Sequence, residues 1–525
     1  MVDTESISDP QIVNRSLQKV AKGTGIVFIG SIFLLLFSFA EGVLIVRNWT
    51  QAEFGVISLG FAILAICTSI STLGMQQGVV RSIAYVRGKK DNKKISQIIY
   101  GSIVLSTIIS IILAAIIFLL SDIIADVIFH EPSLGAPLKI FSIIIPFFAV
   151  IRILVSIFRG FDQVKPAVYF EYILIGLLFT ISLIIIIFLD LPFIYIAYVY
   201  ASTIIVTCVL FSIYAIKKLP SRIISDKKSI DKHVTKELVL FSLPLLTSIL
   251  VTAVINKSDI LLLGSLKTSA DVGLYADARP LSGLISFFLN ALMFMYMPVI
   301  SGLYASGLIK EIKANYSIVT KWLSVFTLPL FLILFLFPEV ILGFIYGDAY
   351  IFASNALRIL CLGVIFHNFV GPCGATLVAM GKPRFIMYAS IFAALSNVGL
   401  SVVLIPYFGV VGAATAFAGS LIASNIIKTW KIYSISGVHP ISKNQLKTAI
   451  SSVLIALFIY FILKNFLVFE FWMVPFMAIV FYITGFLSIL FTKSLHQEDI
   501  DTLMIMGQKL GMNLSRTKRF LTKFI

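Results

Sequence analysis

The sequence predicts an all-α, polytopic membrane protein of about fourteen transmembrane helices, built as two pseudo-symmetric six-helix lobes in a parallel repeat plus two C-terminal helices. Composition is the first ground for this. Of 525 residues, 59% are hydrophobic and 13% charged, against roughly 45–50% and about 25% in soluble domains, and the mean hydropathy is +1.03. The second ground is that apolar runs of about 20 residues recur along the chain, each long enough to cross a hydrocarbon core of roughly 30 Å as a helix. The third is that Lys and Arg collect in alternate loops. The polar–apolar alternation of barrel strands is absent.

Taken in chain order, residues 1–22 are polar and precede the first run. The first lobe, 23–218, holds runs at 24–46, 53–74, 97–120, 138–158, 168–189 and 193–216. A basic linker, 219–236, leads to the second lobe, 237–434, with runs at 238–263, 273–300, 319–341, 353–379, 385–405 and 409–430. Two further runs, 446–466 and 471–491, occupy 445–492. The tail, 493–525, mixes Ile500, Leu503, Leu510 and Phe520 with Lys509, Arg516, Lys518, Arg519 and Lys523. It reads either as a basic amphipathic helix on the inner leaflet or as a partly disordered solubilising tail.

The net charge of +16 would suggest a nucleic-acid partner in a soluble chain. Placed on the spans it means something else. Of the 41 basic residues, 33 fall in one set of alternating segments, four in the other set and four inside spans. Short cytoplasmic loops carry such an excess, so both termini are expected in the cytoplasm and the protein in the cell membrane, with no nucleic-acid partner. The first run is long enough to stay as a helix, so no cleaved signal peptide is expected. Cys67, Cys208, Cys361 and Cys373 lie in apolar runs without metal-ligand spacing, as small core residues do. No cofactor and no metal are expected. Nor is an enzymatic activity, since the chain has neither a catalytic constellation nor a phosphate-cradling Gly-rich loop with its Lys and Ser/Thr.

An internal repeat sets the architecture. Ala52-Glu53-Phe54-Gly55-Val56 recurs as Ala270-Asp271-Val272-Gly273-Leu274 at an offset of 218, and Glu41 maps onto Asp259 at the same offset. Lys165-Pro166 recurs as Lys382-Pro383, and Leu191-Pro192 as Ile405-Pro406. Each unit spans six runs, an even number, so both halves share one orientation and the repeat axis runs along the membrane normal.

Ionisable groups at bilayer depth cost at least about 2.5–3.5 kcal/mol each and mark partners or wet cavities. The substrate-binding candidates are therefore Arg152, Arg279, Arg358, Lys257 and the adjacent Asn256. Their excess positive charge suits a phosphate-bearing substrate, because the guanidinium fork matches phosphate oxygens. The bland readings are snorkelling cations near helix ends and a structural pair between Glu41 and Lys257. Glu41 and Asp259, symmetric in the repeat, are the candidates for gating or ion coupling. His367 and Asn368 read as a hydrogen-bonded interior pair rather than a proton relay.

Several stretches resemble a known family: Gly74-Met75-x-x-Gly78-x-x-Arg81-x-Ile83-Ala84 leading into Gly88-Lys89, Met380-Gly381-Lys382-Pro383, and Ile405-Pro406-x-x-Gly409-x-x-Gly412-Ala413-Ala414. With the twelve-plus-two span plan, they resemble the polysaccharide-transporter (Wzx-like) branch of the multidrug/oligosaccharidyl-lipid/polysaccharide (MOP) flippase superfamily over about residues 15–490. The resemblance implies two six-helix lobes around a V-shaped cavity and alternating access. It also implies flipping of a polyprenyl-diphosphate-linked oligosaccharide from the inner to the outer leaflet. The expected partners are that substrate, membrane lipids, and a glycan polymerase or glycosyltransferases, with the flippase itself a monomer. The alternatives are a cation-coupled multidrug exporter of the related MATE branch, which would need an acidic cleft, and a non-transporting scaffold for glycan synthesis.

Overall fold

The computed structural model describes residues 10–89, 91–219, 231–439, 441–466, 470–492 and 494, among which there is no strand. The tail beyond Ser494 and most of the 219–236 linker lie outside the described residues. In chain order the helices are α1 (Pro10–Asn48), α2 (Gln51–Ser71), α3 (Met75–Gly88), α4 (Asn92–Ile123), α5 (Gly135–Gly160), α6 (Ile175–Phe188) and α7 (Ile194–Lys218). Then come α8 (Lys232–Leu266), α9 (Ser269–Gly283), α10 (Phe287–Ala305), α11 (Ile309–Leu336), α12 (Pro338–Tyr346), α13 (Ser354–Val370) and α14 (Cys373–Ala379). The last are α15 (Pro383–Ser436), α16 (Lys443–Phe466) and α17 (Met473–Phe491).

Among the described residues, twelve helical stretches are long and apolar enough to span a membrane by length and composition, where about fourteen were expected. The difference lies in two places. The run expected at 273–300 is interrupted, α9 and α10 being separated by a 3₁₀ turn at Leu284–Ser286. The runs at 385–405 and 409–430 are joined in the 54 residues of α15, across a kink where Gly409 has φ 52° and ψ −126°. Fifty-four helical residues would reach about 81 Å at 1.5 Å each, far beyond a hydrocarbon core of about 30 Å, so the kink separates two membrane-length pieces.

The surface is apolar. Phe188, Leu119 and Leu395 are 88%, 76% and 69% exposed, as befits helices whose outer solvent is lipid. The multi-pass membrane protein expected from composition is thus borne out.

The chain divides into two compact units, one of Met1–Lys257 with Thr268–Gly273 and one of Ser258–Lys267 with Leu274–Ile525. In the first, α4 and α5 pair extensively, and α5 also packs on α2, α3 and α7. Its core holds Ile57, Met75, Ile83, Ile144, Ile157 and Ile204, all without solvent exposure. Glycines allow the closest approaches. A Cβ on Gly60 would meet the Phe141 ring at 2.5 Å, and one on Gly160 would meet Ile83 at 2.8 Å.

α2 starts at a capping box. The Thr50 hydroxyl accepts from Glu53 N–H, and the Glu53 carboxylate accepts from Thr50 N–H at 2.8 Å, satisfying two otherwise orphaned amides. The same device opens α9, where Thr268 N–H donates to Asp271 Oδ2 and Asp271 N–H to Thr268 Oγ1, both at 3.2 Å. The two helix starts also meet reciprocally within the first unit. A Cβ on Gly55 would collide with the Ser269 carbonyl, and one on Gly273 would lie 2.3 Å from the Gln51 carbonyl. Gln51 and Ser269 are themselves 218 residues apart, so the repeat seen in sequence recurs as a symmetric contact.

In the second unit, α11 packs against α13, α16 and α17. A buried polar seam ties the last two helices together. Ser452 and Ser488 hydroxyls are 2.6 Å apart, and Ser488 Oγ also donates to the Thr448 carbonyl. Gln445 Nε2 bonds Ser324 Oγ at 2.9 Å and the Phe369 carbonyl at 2.8 Å, while the buried Lys321 ammonium donates to the Ser494 carbonyl at 3.0 Å. Small hydroxyl residues at such interfaces let membrane helices approach closely.

Candidate functional site

Two polar cavities lie in the first unit. The first, of about 400 Å³, is lined by Glu41 of α1, Phe61, Leu64, Ala65, Thr68 and Ser69 of α2, Gln76 of α3, Phe148 and Arg152 of α5, Phe179 of α6, Tyr200 of α7 and Ile249 of α8. The second, of about 420 Å³, is lined by Ala65, Ser69 and Gln77 with Ser248, Ile249, Thr252, Ala253, Asn256 and Lys257 of α8. Ala65, Ser69 and Ile249 border both, so the two cavities adjoin.

α2 breaks where these cavities meet. Leu73 and Gly74 both take positive φ, 46° and 73°, a conformation glycine adopts freely and leucine rarely. Gly74 is required there for space as well, since a Cβ would lie 2.4 Å from the Ser242 carbonyl of α8. The break turns Gln76 and Gln77 toward the cavity walls that Thr68 and Ser69 begin.

Four of the seven candidate residues from sequence therefore converge in this unit: Glu41 and Arg152 on one cavity, Asn256 and Lys257 on the other. Glu41 Oε1 accepts from Thr180 Oγ1 at 3.4 Å. Arg152, 40% exposed, pairs through Nη1 with Glu171 Oε1 at 2.6 Å and lies 5.3 Å from the Phe148 ring centroid. Tyr200 forms the aromatic wall, edge-on to Phe61 and Phe179 at 4.8 and 5.0 Å.

The other three stand in the second unit. Asp259 has no solvent exposure and is ion-paired with Arg279; its Oδ2 also accepts from the Tyr275 hydroxyl at 2.6 Å. The Arg279 guanidinium stacks on the Phe417 ring at 4.2 Å. Arg358 bonds Glu339 at 2.7 Å, the Phe335 carbonyl at 3.2 Å and Asn355 at 3.1 Å. His367 and Asn368 are hydrogen-bonded to other residues, Asn425 at 3.1 Å and the Ile285 carbonyl at 3.0 Å respectively.

Sequence reasoning missed several wall residues. Ser248 and Thr252 stand eight and four residues before the candidate Asn256, on one helical face, and that spacing was legible. Glu171 also left a trace, as an acid inside the run at 168–189. Gln76, Gln77 and Tyr200 left none, because ordinary polar residues near span ends do not announce a cavity.

Chemically, the site offers one exposed guanidinium with a bound counter-charge, one ammonium, one carboxylate, and a set of neutral hydroxyls and amides against aromatic rings. That combination suits a polar headgroup carrying anionic charge and many hydroxyls. Among the described residues, no group of three or more His, Cys, Asp or Glu is placed to hold a metal.

Lipid-facing helices around two adjoining cavities define the class, an all-α multi-pass membrane protein. The fold is that of MOP-superfamily transporters. The lipid II flippase MurJ in an inward closed conformation aligns with TM-score 0.71 and 18% identity over 92% of this chain and 99% of that one. An inward-facing MATE-family multidrug transporter of the MOP superfamily aligns with TM-score 0.65 and 16% identity over 77% and 95%.

The chain belongs to the polysaccharide biosynthesis protein family, which matches residues 20–304; the MatE family also matches residues 244–403. A probable low-salt glycan biosynthesis flippase, Agl15 of Haloferax volcanii, is 26% identical over 169 residues, 32% of this chain and 36% of that one. An uncharacterized membrane protein of Methanocaldococcus jannaschii is 26% identical over 153 residues, 29% and 30%. The chain thus spans about a third of the length of the curated relatives it matches.

Proposed function

We propose that this protein is a flippase that carries a polyprenyl-diphosphate-linked oligosaccharide from the inner to the outer leaflet by alternating access. The observation that carries this reading is the adjoining pair of cavities, which sets Arg152 and Lys257 beside neutral polar groups of α2, α3 and α8. A diphosphate needs cations, and charge-assisted bonds from guanidinium to phosphate are roughly twice as strong as neutral ones. A saccharide needs the hydroxyls and amides. The lipid tail needs neither and stays in the bilayer. Family membership and the glycan-flippase relative support the same substrate class. In this reading the protein is a monomer in the cell membrane with both termini in the cytoplasm, working beside a glycan polymerase or glycosyltransferases.

The test is reconstitution of the full chain into vesicles with a fluorescent polyprenyl-diphosphate saccharide, followed by chemical quenching of the outer leaflet. The doubly neutralised variant Arg152→Gln with Lys257→Gln should lose transport by at least tenfold, about 1.4 kcal/mol of transition-state binding. Wild-type transport in that variant sinks the reading. Arg279 is another of the substrate-binding candidates from sequence. Lys257 is the better choice, because Arg279 is 15% exposed and ion-paired with the buried Asp259.

A second reading, cation-coupled export of drugs as in the MATE branch, draws on Glu41 in the cavity wall and on the MatE match. It predicts sodium- or proton-driven efflux of cationic dyes from the same vesicles with no movement of glycolipid.

A further inference from the structure

We propose that Glu171 is a built-in stand-in for the substrate's phosphate: it holds Arg152 while the cavity is empty, gives way when an anionic headgroup arrives, and returns to drive that headgroup off. The proposal rests on the flippase reading of this cavity and assigns a role to a residue behind its wall.

The geometry is that of an exchangeable pair. Arg152 is 40% exposed and lines the cavity, whereas Glu171 is 13% exposed and meets it through Nη1 at 2.6 Å. A guanidinium has five N–H donors in a rigid fork, so donors remain for a second anion on the cavity side. Carboxylate and phosphate present equivalent oxygen pairs to that fork, and phosphate brings more charge. An arginine in a cavity wall keeps an anion beside it, and at 40% exposure that pair is only modestly stabilised. Binding therefore becomes the exchange of one anion for another, which holds affinity down and makes release possible. A flippase needs that balance, since a headgroup gripped as tightly as possible does not leave.

The backbone at Glu171 is built for the task. Residues Ala167–Leu174 form a π-helix, a wider turn that is uncommon and frequent at functional sites. The stretch is clamped against α1: a Cβ on Gly30 would lie 2.6 Å from Val168 Cγ1 and 3.0 Å from Tyr172 Cδ2. It continues directly into α6, which carries Phe179 of the cavity wall and Thr180, the hydrogen-bond partner of Glu41. One helix thus holds the partners of both charged wall residues, Arg152 and Glu41, and release of Glu171 is felt at both.

The test uses the purified full chain, binding of farnesyl diphosphate as the probe, and the vesicle assay above. Glu171→Gln removes the competitor, and affinity for the diphosphate should rise about tenfold, as expected for loss of one charge-assisted bond, while the turnover rate for flipping falls by a similar factor. A merely structural pair predicts the reverse for binding, with affinity unchanged or weakened alongside thermal stability, and that result overturns the proposal. Should Glu171→Gln not fold, Glu171→Asp decides. Its shorter reach loosens the grip on Arg152 and must raise affinity by a smaller factor, and unchanged or weaker binding overturns the proposal equally. A wild-type chain that binds no diphosphate at all fails the flippase reading itself, a result distinguishable from either variant's.

Discussion

Glu41 and Asp259 stand 218 residues apart at matching places in the repeat, yet their surroundings have nothing in common. Glu41 borders an open cavity and accepts a 3.4 Å bond from a threonine hydroxyl. Asp259 is sealed from solvent by an arginine and a tyrosine, with a phenylalanine ring under the arginine. The helix starts nearby diverged far less: the Thr50–Glu53 and Thr268–Asp271 capping boxes match bond for bond, and Gly55 and Gly273 make mirror contacts. The two helix starts share their backbone chemistry, while the two acids do not share their electrostatics. One acid borders a cavity. The other has a buried partner.

The sharpest way to break this comparison is to remove the buried acid. Asp259→Ala takes a buried counter-charge away from Arg279 and should cost about 3–5 kcal/mol of stability, read as a large fall in the thermal midpoint in detergent. Replacing both partners with leucine should recover most of it, since a well-packed apolar pair is often as stable as a buried ion pair. An Asp259→Ala chain with the wild-type midpoint would show that the pair is not structural.

Next in size are the glycines where the repeats agree. Gly55→Ala and Gly273→Ala each drive a Cβ into a backbone carbonyl, and overpacking of this kind costs about 1–3 kcal/mol. The two losses should be alike. A Gly399→Ala control, where a Cβ would meet nothing within 4 Å, should show no such loss.

The capping boxes offer a finer comparison. Thr50→Ala and Thr268→Ala should each cost about 1 kcal/mol, again in equal measure. Unequal losses would mean that the matching bonds hide different environments.

Smallest in stability, though not in transport, is Glu41→Gln. With one long hydrogen bond at stake, its stability should change by less than about 1 kcal/mol, while flipping in vesicles falls at least tenfold, about 1.4 kcal/mol in the barrier. Wild-type flipping would reduce Glu41 to a bystander in the cavity wall.

Much of the fold was legible in the chain. Span limits follow from apolar run lengths, and most expected runs coincide with a helix to within several residues. Where the count departs from expectation, the reason is local geometry that composition does not carry: a 3₁₀ turn at Leu284–Ser286 and a joined pair of helices at Gly409. The candidate site was half legible. Intramembrane charge pointed to Glu41, Arg152 and Lys257, but the same criterion drew in Arg279 and Arg358, which the fold engages with Asp259 and Glu339. A charge in a span is visible in sequence, whereas its partner is set by which helix faces it.

What the sequence determined by itself is that this chain lives in a bilayer as helices, because lipid leaves no other way to satisfy the backbone, and that its residues around 50 and 268 share a local pattern. Tertiary structure alone decided which charges remain accessible. Glu171 meets Arg152 because a π-helical turn and a glycine on α1 position it there, and Arg279 meets Asp259 across the turn that links α8 to α9. Those contacts join residues up to 20 positions apart through packing, and pairing at that range depends on shape, which no run of letters displays.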